Sequence, residues 1–197
     1  MKLKAIVFIM AVLGLTNVHS NEVYIDQVGD ASTVTITQDG TGNIVGDSAT
    51  PVFIGGGSNI VDINQIGIGN ELVMVVNGAA AEVLVDTTGS NNIQTINCGT
   101  LGSASCSGST IKQIVNGDNN TITQNLGTGA NHYSEINVVG STNTITHTST
   151  NAGSSTVNVT ATGDTNTIGV TQSGTTAKTV TINSTGNSNN ISINQSN

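Results

Sequence analysis

Residues 32–38 read Ser32-Thr33-Val34-Thr35-Ile36-Thr37-Gln38, and Asp39-Gly40-Thr41-Gly42-Asn43 follows them. Ser32, Val34, Ile36 and Gln38 share one parity, while three threonines take the other. Strict period-two alternation is the signature of a strand with one buried face. The glycines after it, one beside an aspartate, suit a sharp reversal. The template is therefore a small polar residue, aliphatics at +2 and +4, Gln at +6, then a Gly-containing turn. It fits in full over 21–27, 32–38, 59–65, 166–172 and 189–195, with Gln27, Gln38, Gln65, Gln172 and Gln195 in the last place. Partial fits run over 107–113 and 118–124, ending in Gln113 and Gln124. Units starting at Asn70, Ala81, Asn143 and Ser155 keep the aliphatic skeleton without the Gln.

Unit starts fall at residues 21, 32, 43, 59, 70, 81, 92, 107, 118, 132, 143, 155, 166, 178 and 189, so the dominant step is 11 and paired units recur about every 22 or 23. Short periods of this kind point to stacked units. The expected fold is all-β: a β-solenoid in which two strands and two turns make one rung and rungs stack at roughly 4.7 Å, a cross-β arrangement. Fifteen units make about seven and a half rungs and a rod roughly 35 Å long. Inward Gln and Asn side chains, costly when unpaired, satisfy one another when they occupy the same place in successive rungs. The ladder residues are Gln27, Ser32, Gln38, Asn43, Asn59, Gln65, Asn70, Gln113, Gln124, Asn166, Gln172, Asn189 and Gln195. Two steps are long, and they predict loop insertions near 46–58, with Pro51 and Gly55-Gly56-Gly57, and near 98–106. Everything from 21 to 197 reads as one domain.

Residues 1–20 stand apart. Lys2 and Lys4, an apolar run over 5–15 and Val18-His19-Ser20 read as a secretory signal peptide cut after Ser20. The apolar run is too short for a membrane span, so a secreted product with no membrane insertion is expected. The chain has 197 residues, 36% apolar, 2% aromatic and 8% charged, and it contains no Arg. That composition suits neither a helical domain nor a disordered tail. Lys+Arg 4 against Asp+Glu 12 disfavours nucleic acid as a partner. Neither the first unit at Asn21 nor the last, ending at Gln195, is followed outward by a capping helix or charged strand, so both tips of the rod are expected to expose backbone that a second copy can pair with.

The spacing Ser32-x5-Gln38-x4-Asn43 resembles the curlin repeat of bacterial curli amyloid fibres, Ser-x5-Gln-x4-Asn-x5-Gln. Asn21, Gln27, Ser32, Gln38 and Asn43 match it over two consecutive units, and Asn59, Gln65 and Asn70 match again. The resemblance implies an extracellular structural subunit of biofilm matrix that self-assembles into cell-surface fibres serving adhesion and aggregation. It further implies a nucleating or major curlin homologue as partner, and curli-type secretion through the outer membrane by way of the periplasm.

Sites for chemistry are scarce. Cys98 and Cys106 have seven residues between them, which in an exported chain suits a loop-closing disulfide. His132 and His147 fall in different units and read as incidental polar positions. No nucleophile elbow, metal-ligand spacing or calcium nonapeptide appears, so no enzyme activity, cofactor or metal is expected. One reading competes with the fibre subunit. Thr121, Thr144 and Thr167 recur every 23 residues, and Thr-x-Thr faces of this kind suit an ice-binding or carbohydrate-binding adhesin. The array breaks between 60 and 110, which favours threonine as an ordinary occupant of an exposed strand face.

Overall fold

The computed structural model describes residues 19–28, 30–49, 51–98, 106–127, 131–151 and 153–197. They form no helix and two parallel sheets. The first sheet contains β1 (Glu22–Val23) with β2 (Ile25–Val28), β4 (Ile44–Val45) with β5 (Val52–Gly55), β7 (Glu71–Asn77), β9 (Ile93–Cys98), β12 (Thr121–Leu126), β15 (Thr144–Asn151), β17 (Thr167–Gly174) and β19 (Asn190–Gln195). The second contains β3 (Thr33–Thr41), β6 (Ile60–Ile68), β8 (Glu82–Thr88), β10 (Thr110–Ile111) with β11 (Val115–Asn116), β13 (Tyr133–Glu135) with β14 (Val138–Val139), β16 (Ser155–Thr162) and β18 (Lys178–Thr185). The chain crosses from one sheet to the other and back, so each pair of levels is one turn of a β-solenoid of about seven turns. The expected architecture is the observed one. Every pairing is parallel and in register: Val34, Ile36 and Gln38 of β3 lie against Val61, Ile63 and Gln65 of β6.

The alternation in sequence becomes an inside and an outside. Ile36, Ile63, Val85, Ile96, Ile122, Ile145 and Ile168 are buried between the sheets, while the residues immediately before and after each face out. The apolar interior is not continuous. One cluster runs from Ile36 through Ile63, Met74 and Ile96 to Ile111 and Leu126, and a second runs from Val115 and Ile122 to Val180 and Ile182.

Turns that return the chain from the second sheet to the first share one plan. Gly40, Gly67, Gly89, Gly117, Gly140, Gly163 and Gly186 all have φ between +104° and +131°. Each is followed, two residues on, by a left-handed residue (Gly42, Gly69, Asn91, Asn119, Thr142, Thr165, Ser188) and then by Asn. A β-branched residue is a poor choice for the left-handed region. Replacing Thr165 (φ 59°, exposed) with Asn, the residue already used at Asn91 and Asn119, is expected to stabilise the fold by about 1 kcal/mol, read as a rise in Tm of about 2–4 °C.

Two details differ from expectation. The units assigned to 107–113 and 118–124 begin two residues later, at Ser109 and Asn120, because Thr110 pairs with Glu82 and Thr121 with Ile93. A shift of two keeps every side chain on its own face, so parity alone does not detect it. The insertion near 46–58 is narrower than the sequence suggests. Val52–Gly55 rejoin the first sheet as β5, with Val52 and Ile54 buried, and the glycine run belongs to the next turn. Most of the insertion near 98–106 lies outside the described residues, as does the signal segment up to residue 18.

Candidate functional site

The most regular feature of the interior is a column of asparagines at the entrance to each level of the first sheet. Asn43, Asn70, Asn92, Asn120, Asn143 and Asn166 are at most 1% exposed. From Asn70 onward the backbone N–H and the Nδ2 of each donate to the Oδ1 of the asparagine one level earlier: Asn120 to Asn92 at 3.0 and 3.0 Å, Asn143 to Asn120 at 2.9 and 3.0 Å, Asn166 to Asn143 at 2.9 and 2.9 Å. The second Nδ2 hydrogen goes to the carbonyl of a turn glycine one level later, Asn92 to Gly117 at 2.8 Å and Asn120 to Gly140 at 2.8 Å. The amides of Asn70, Asn92, Asn120 and Asn143 thus donate twice and accept twice, which is the condition for burying them without penalty. Asn21 starts the column, its Oδ1 accepting from the Asn43 N–H at 2.9 Å, and Asn189 ends it.

The turn glycines stack beside this column. A Cβ on Gly67 would lie 1.8 Å from the Gly89 carbonyl oxygen, and one on Gly117 would lie 2.1 Å from that of Gly140. Glycine is required there twice over, for its φ and for the close approach of the next turn. On the outside, Asp118, Ser141, Asp164 and Asn187 make a parallel chain: Ser90 N–H donates to Asp118 at 2.7 Å, Ser141 N–H to Asp164 at 2.7 Å and Asp164 N–H to Asn187 at 2.8 Å.

The glutamines are less regular. Gln38 donates to Gln65 at 2.9 Å, and Gln172 donates to Gln195 at 3.1 Å, both at the +6 place. Ser32 Oγ accepts from Asn59, which lines the opposite turn edge with an Nδ2 bond to the Gly55 carbonyl at 2.9 Å. The side chain of Gln27 is outside the described residues. Midway along the rod the polar column steps inward. Thr87 accepts from Gln94, Gln94 accepts from Gln113 at 2.5 Å, and Gln113 accepts from Gln124 at 3.1 Å. Gln113 and Gln124 occupy the +4 place of their true units, where most other levels hold an aliphatic and the level after Gln124 holds His147. This stratum interrupts the apolar core.

The histidines are part of it. His132 and His147, read from the sequence as incidental polar positions, are 1% and 0% exposed, inside the solenoid. His132 Nδ1 shares a hydrogen with Ser155 Oγ at 2.5 Å, and Ser155 bonds Ser149 at 3.0 Å. His147 Nε2 donates to Gln172 Oε1 at 3.3 Å, so its Nδ1 accepts from the Ser134 hydroxyl at 3.4 Å. Burial holds the His147 pKa down at about 4; the Gln172 bond opposes the shift and nearby His132 adds to it. Above about pH 6.5 the imidazole is neutral in both folded and unfolded chains, and it contributes nothing to pH dependence. Between about 6.5 and 4 the unfolded chain takes up a proton that the folded chain refuses, so stability falls with pH by up to about 3 kcal/mol and then levels off. Urea midpoints at pH 7 and pH 4 test this: most of the difference is expected to vanish in His147→Gln.

Cys106 is buried and disulfide-bonded; the side chain of Cys98, its expected partner, lies outside the described residues. No cluster of His, Cys, Asp or Glu suited to a metal occurs among the described residues, and no helix there is long and apolar enough to cross a membrane. Sequence reasoning missed Asn92, Asn120, Asn143 and Gln94 as ladder members. A signal for the three asparagines was present, since Gly-x-x-Asn occurs at all seven returning turns from Gly40 to Asn189.

At the tips the ladders stop in mid-pattern. Among the described residues, β19 pairs only with β17, β18 only with β16, β1 only with β4 and β3 only with β6. Above Gly186 a Cβ would meet nothing nearer than Asn189 Nδ2 at 3.7 Å. No family model, curated protein or solved structure matches this chain.

Proposed function

We propose that this chain is a secreted structural subunit that self-assembles by stacking solenoid on solenoid into curli-like extracellular fibres, for matrix formation, adhesion and aggregation. One observation carries the reading: the asparagine ladder and the unpaired strand edges run to both described tips, so the tips offer backbone donors and acceptors in a parallel cross-β register. Flat unpaired edges without charge or proline invite another strand. β19 presents Asn190, Ser192 and Asn194 outward and half-buries Ile191 and Ile193, with no charged residue along it. The proposed partners are further copies of the chain, a nucleating or major curlin homologue and curli-type export machinery; the resemblance in repeat spacing supports all three. Purified chain at neutral pH is expected to form thioflavin-responsive fibres after a lag that preformed fibres abolish. A chain that stays monomeric for days, seeded or not, would end the proposal.

A second reading has an observation of its own. Thr121, Thr144 and Thr167 are aligned partners, as are Thr123 with Thr146 and Thr148 with Thr171. Over these levels the first sheet presents a lattice of hydroxyls suited to ice or a polysaccharide. Thermal hysteresis by the monomer, abolished in Thr146→Lys, would favour that function over the fibre subunit.

A further inference from the structure

The outward positions of the solenoid are mostly Thr, Asn and Ser, but β6 breaks the rule. Of its five outward residues, Ile60, Ile66 and Ile68 are isoleucines, exposed by 54%, 39% and 59%. At the same places in register, β3 has Thr33, Asp39 and Thr41, and β8 has Glu82 and Thr88 opposite Ile60 and Ile66. Folding therefore does not need an apolar group at these sites; threonine or a charged residue serves at the neighbouring levels. Exposed aliphatics on a soluble face are informative when they are grouped and rimmed by polar groups. Between them stand Asp62 and Asn64, and Asn64 lies against Asp86 of β8.

Charge marks the same half of the solenoid, and Asp39, Asp62, Glu82 and Asp86 lie on these three strands. Residues 19–98 contain nine acidic side chains and neither Lys nor Arg. Residues 106–197 hold three acids, Asp118, Glu135 and Asp164, with Lys112 and Lys178. Lys112 is committed to Glu135 at 3.0 Å. The acids of the β3–β6–β8 face thus have no cation of this chain's own first four levels beside them. A second copy presenting the same face would meet like charge, whereas a cationic segment would gain from both the acids and the isoleucines.

We propose that the outer face of β3, β6 and β8 docks an extended cationic amphipathic peptide segment, with apolar residues on Ile60 and on Ile66–Ile68 and ammonium or guanidinium groups on Asp62 and Asp86. Spacing specifies the partner further. Ile60 and Ile66 are about 20 Å apart along the strand, the span of six residues of extended chain. A segment lying along β6 therefore places apolar residues at both ends of that span and basic residues at the second and fourth steps, over Asp62 and beside Asp86. This surface is the outward side-chain face of the sheet, not the unpaired backbone edge of β3 at the tip, and it does not depend on fibre formation.

The test uses freshly purified full-length chain and a labelled, end-blocked peptide Leu-Thr-Lys-Thr-Lys-Thr-Leu, with binding read by fluorescence anisotropy. Two control peptides replace both leucines with serine or both lysines with glutamate. Binding of the parent peptide is expected to exceed that of each control by about tenfold or more. It is also expected to weaken by about tenfold in Ile66→Thr/Ile68→Thr and again in Asp62→Asn/Asp86→Asn, the second pair losing its dependence on salt. All four substitutions are at outward positions; Ile66→Thr, Ile68→Thr and Asp86→Asn copy the residues in register at Thr88, Thr41 and Asn64, and Asp62→Asn keeps the side-chain shape, so circular dichroism should be unchanged. Equal binding of the serine control would mean plain polyelectrolyte attraction and overturn the proposal. So would unchanged binding by either variant, or no binding of the parent peptide.

Discussion

Gly117→Ala is expected to lower the stability of the solenoid by about 4 kcal/mol or more, one of the largest effects available to a single methyl group. Two penalties coincide at this site. Gly117 has a φ of +131°, where an L residue is strained by about 1–3 kcal/mol. The added Cβ would also sit 2.1 Å from the Gly140 carbonyl oxygen, a distance no side chain can occupy. Relief requires the two turns to move apart, and the turns are joined by the Gly140 N–H bond to Asn116 and the Asn120 Nδ2 bond to Gly140. Gly186→Ala supplies the internal comparison. Its φ of +106° carries similar backbone strain, but its Cβ would meet only Asn189 Nδ2 at 3.7 Å. A loss of about 1–3 kcal/mol is expected there. Urea denaturation of both variants separates strain from stacking, and equal losses would show that the stacked glycine column does not hold the rungs at their spacing.

Asn120→Ala is expected to be comparably severe. The side chain donates to Asn92 Oδ1 and to the Gly140 carbonyl, and it accepts from the N–H and Nδ2 of Asn143. Removing it leaves groups on the levels before and after it short of a partner, in a place without access to water. Each such buried group costs about 1–3 kcal/mol, so a total of about 4 kcal/mol is a modest expectation. Asn120→Asp discriminates further. It keeps the shape and both acceptor roles, but sets a carboxylate oxygen against Asn92 Oδ1 and the Gly140 carbonyl, so it should be no better tolerated than Ala at pH 7. The same change at Asn189, where the column ends, should cost about 1 kcal/mol. Asn189 nonetheless offers its Oδ1 to whatever lies beyond it. If fibres grow from this tip, Asn189→Ala should slow elongation far more than it weakens the monomer, and hydrogen exchange alongside seeded growth would reveal the separation.

The two columns explain why the rod tolerates so much variation elsewhere. Its returning edge, Gly-x-x-Asn at every level, is closed in hydrogen bonding and geometry. The opposite edge carries Ser32, Asn59, Ala81, Ser109, His132 and Ser155 at equivalent places, and it is there that the chain between Cys98 and Cys106 is inserted. One rigid edge is enough to set the parallel register, because a slip by one residue would turn every inward Ile and Val to solvent.

Alternation around residues 32–38 and the recurrence of Gly and Asn were sufficient to establish strands, their inward faces, the two-strand rung and the number of levels, because parity and turn chemistry are local properties of the chain. The inward orientation of His147, four residues after Asn143, was open to the same reading. Which inward place a glutamine takes was not. Gln113 and Gln124 slide by two residues without changing face, and only pairing with the levels on either side sets their height. The break in the core, the burial that lowers the His147 pKa and the exposed isoleucines of β6 likewise exist only between rungs. Each depends on which residues, distant in the chain, are brought to the same level, and no local preference specifies that.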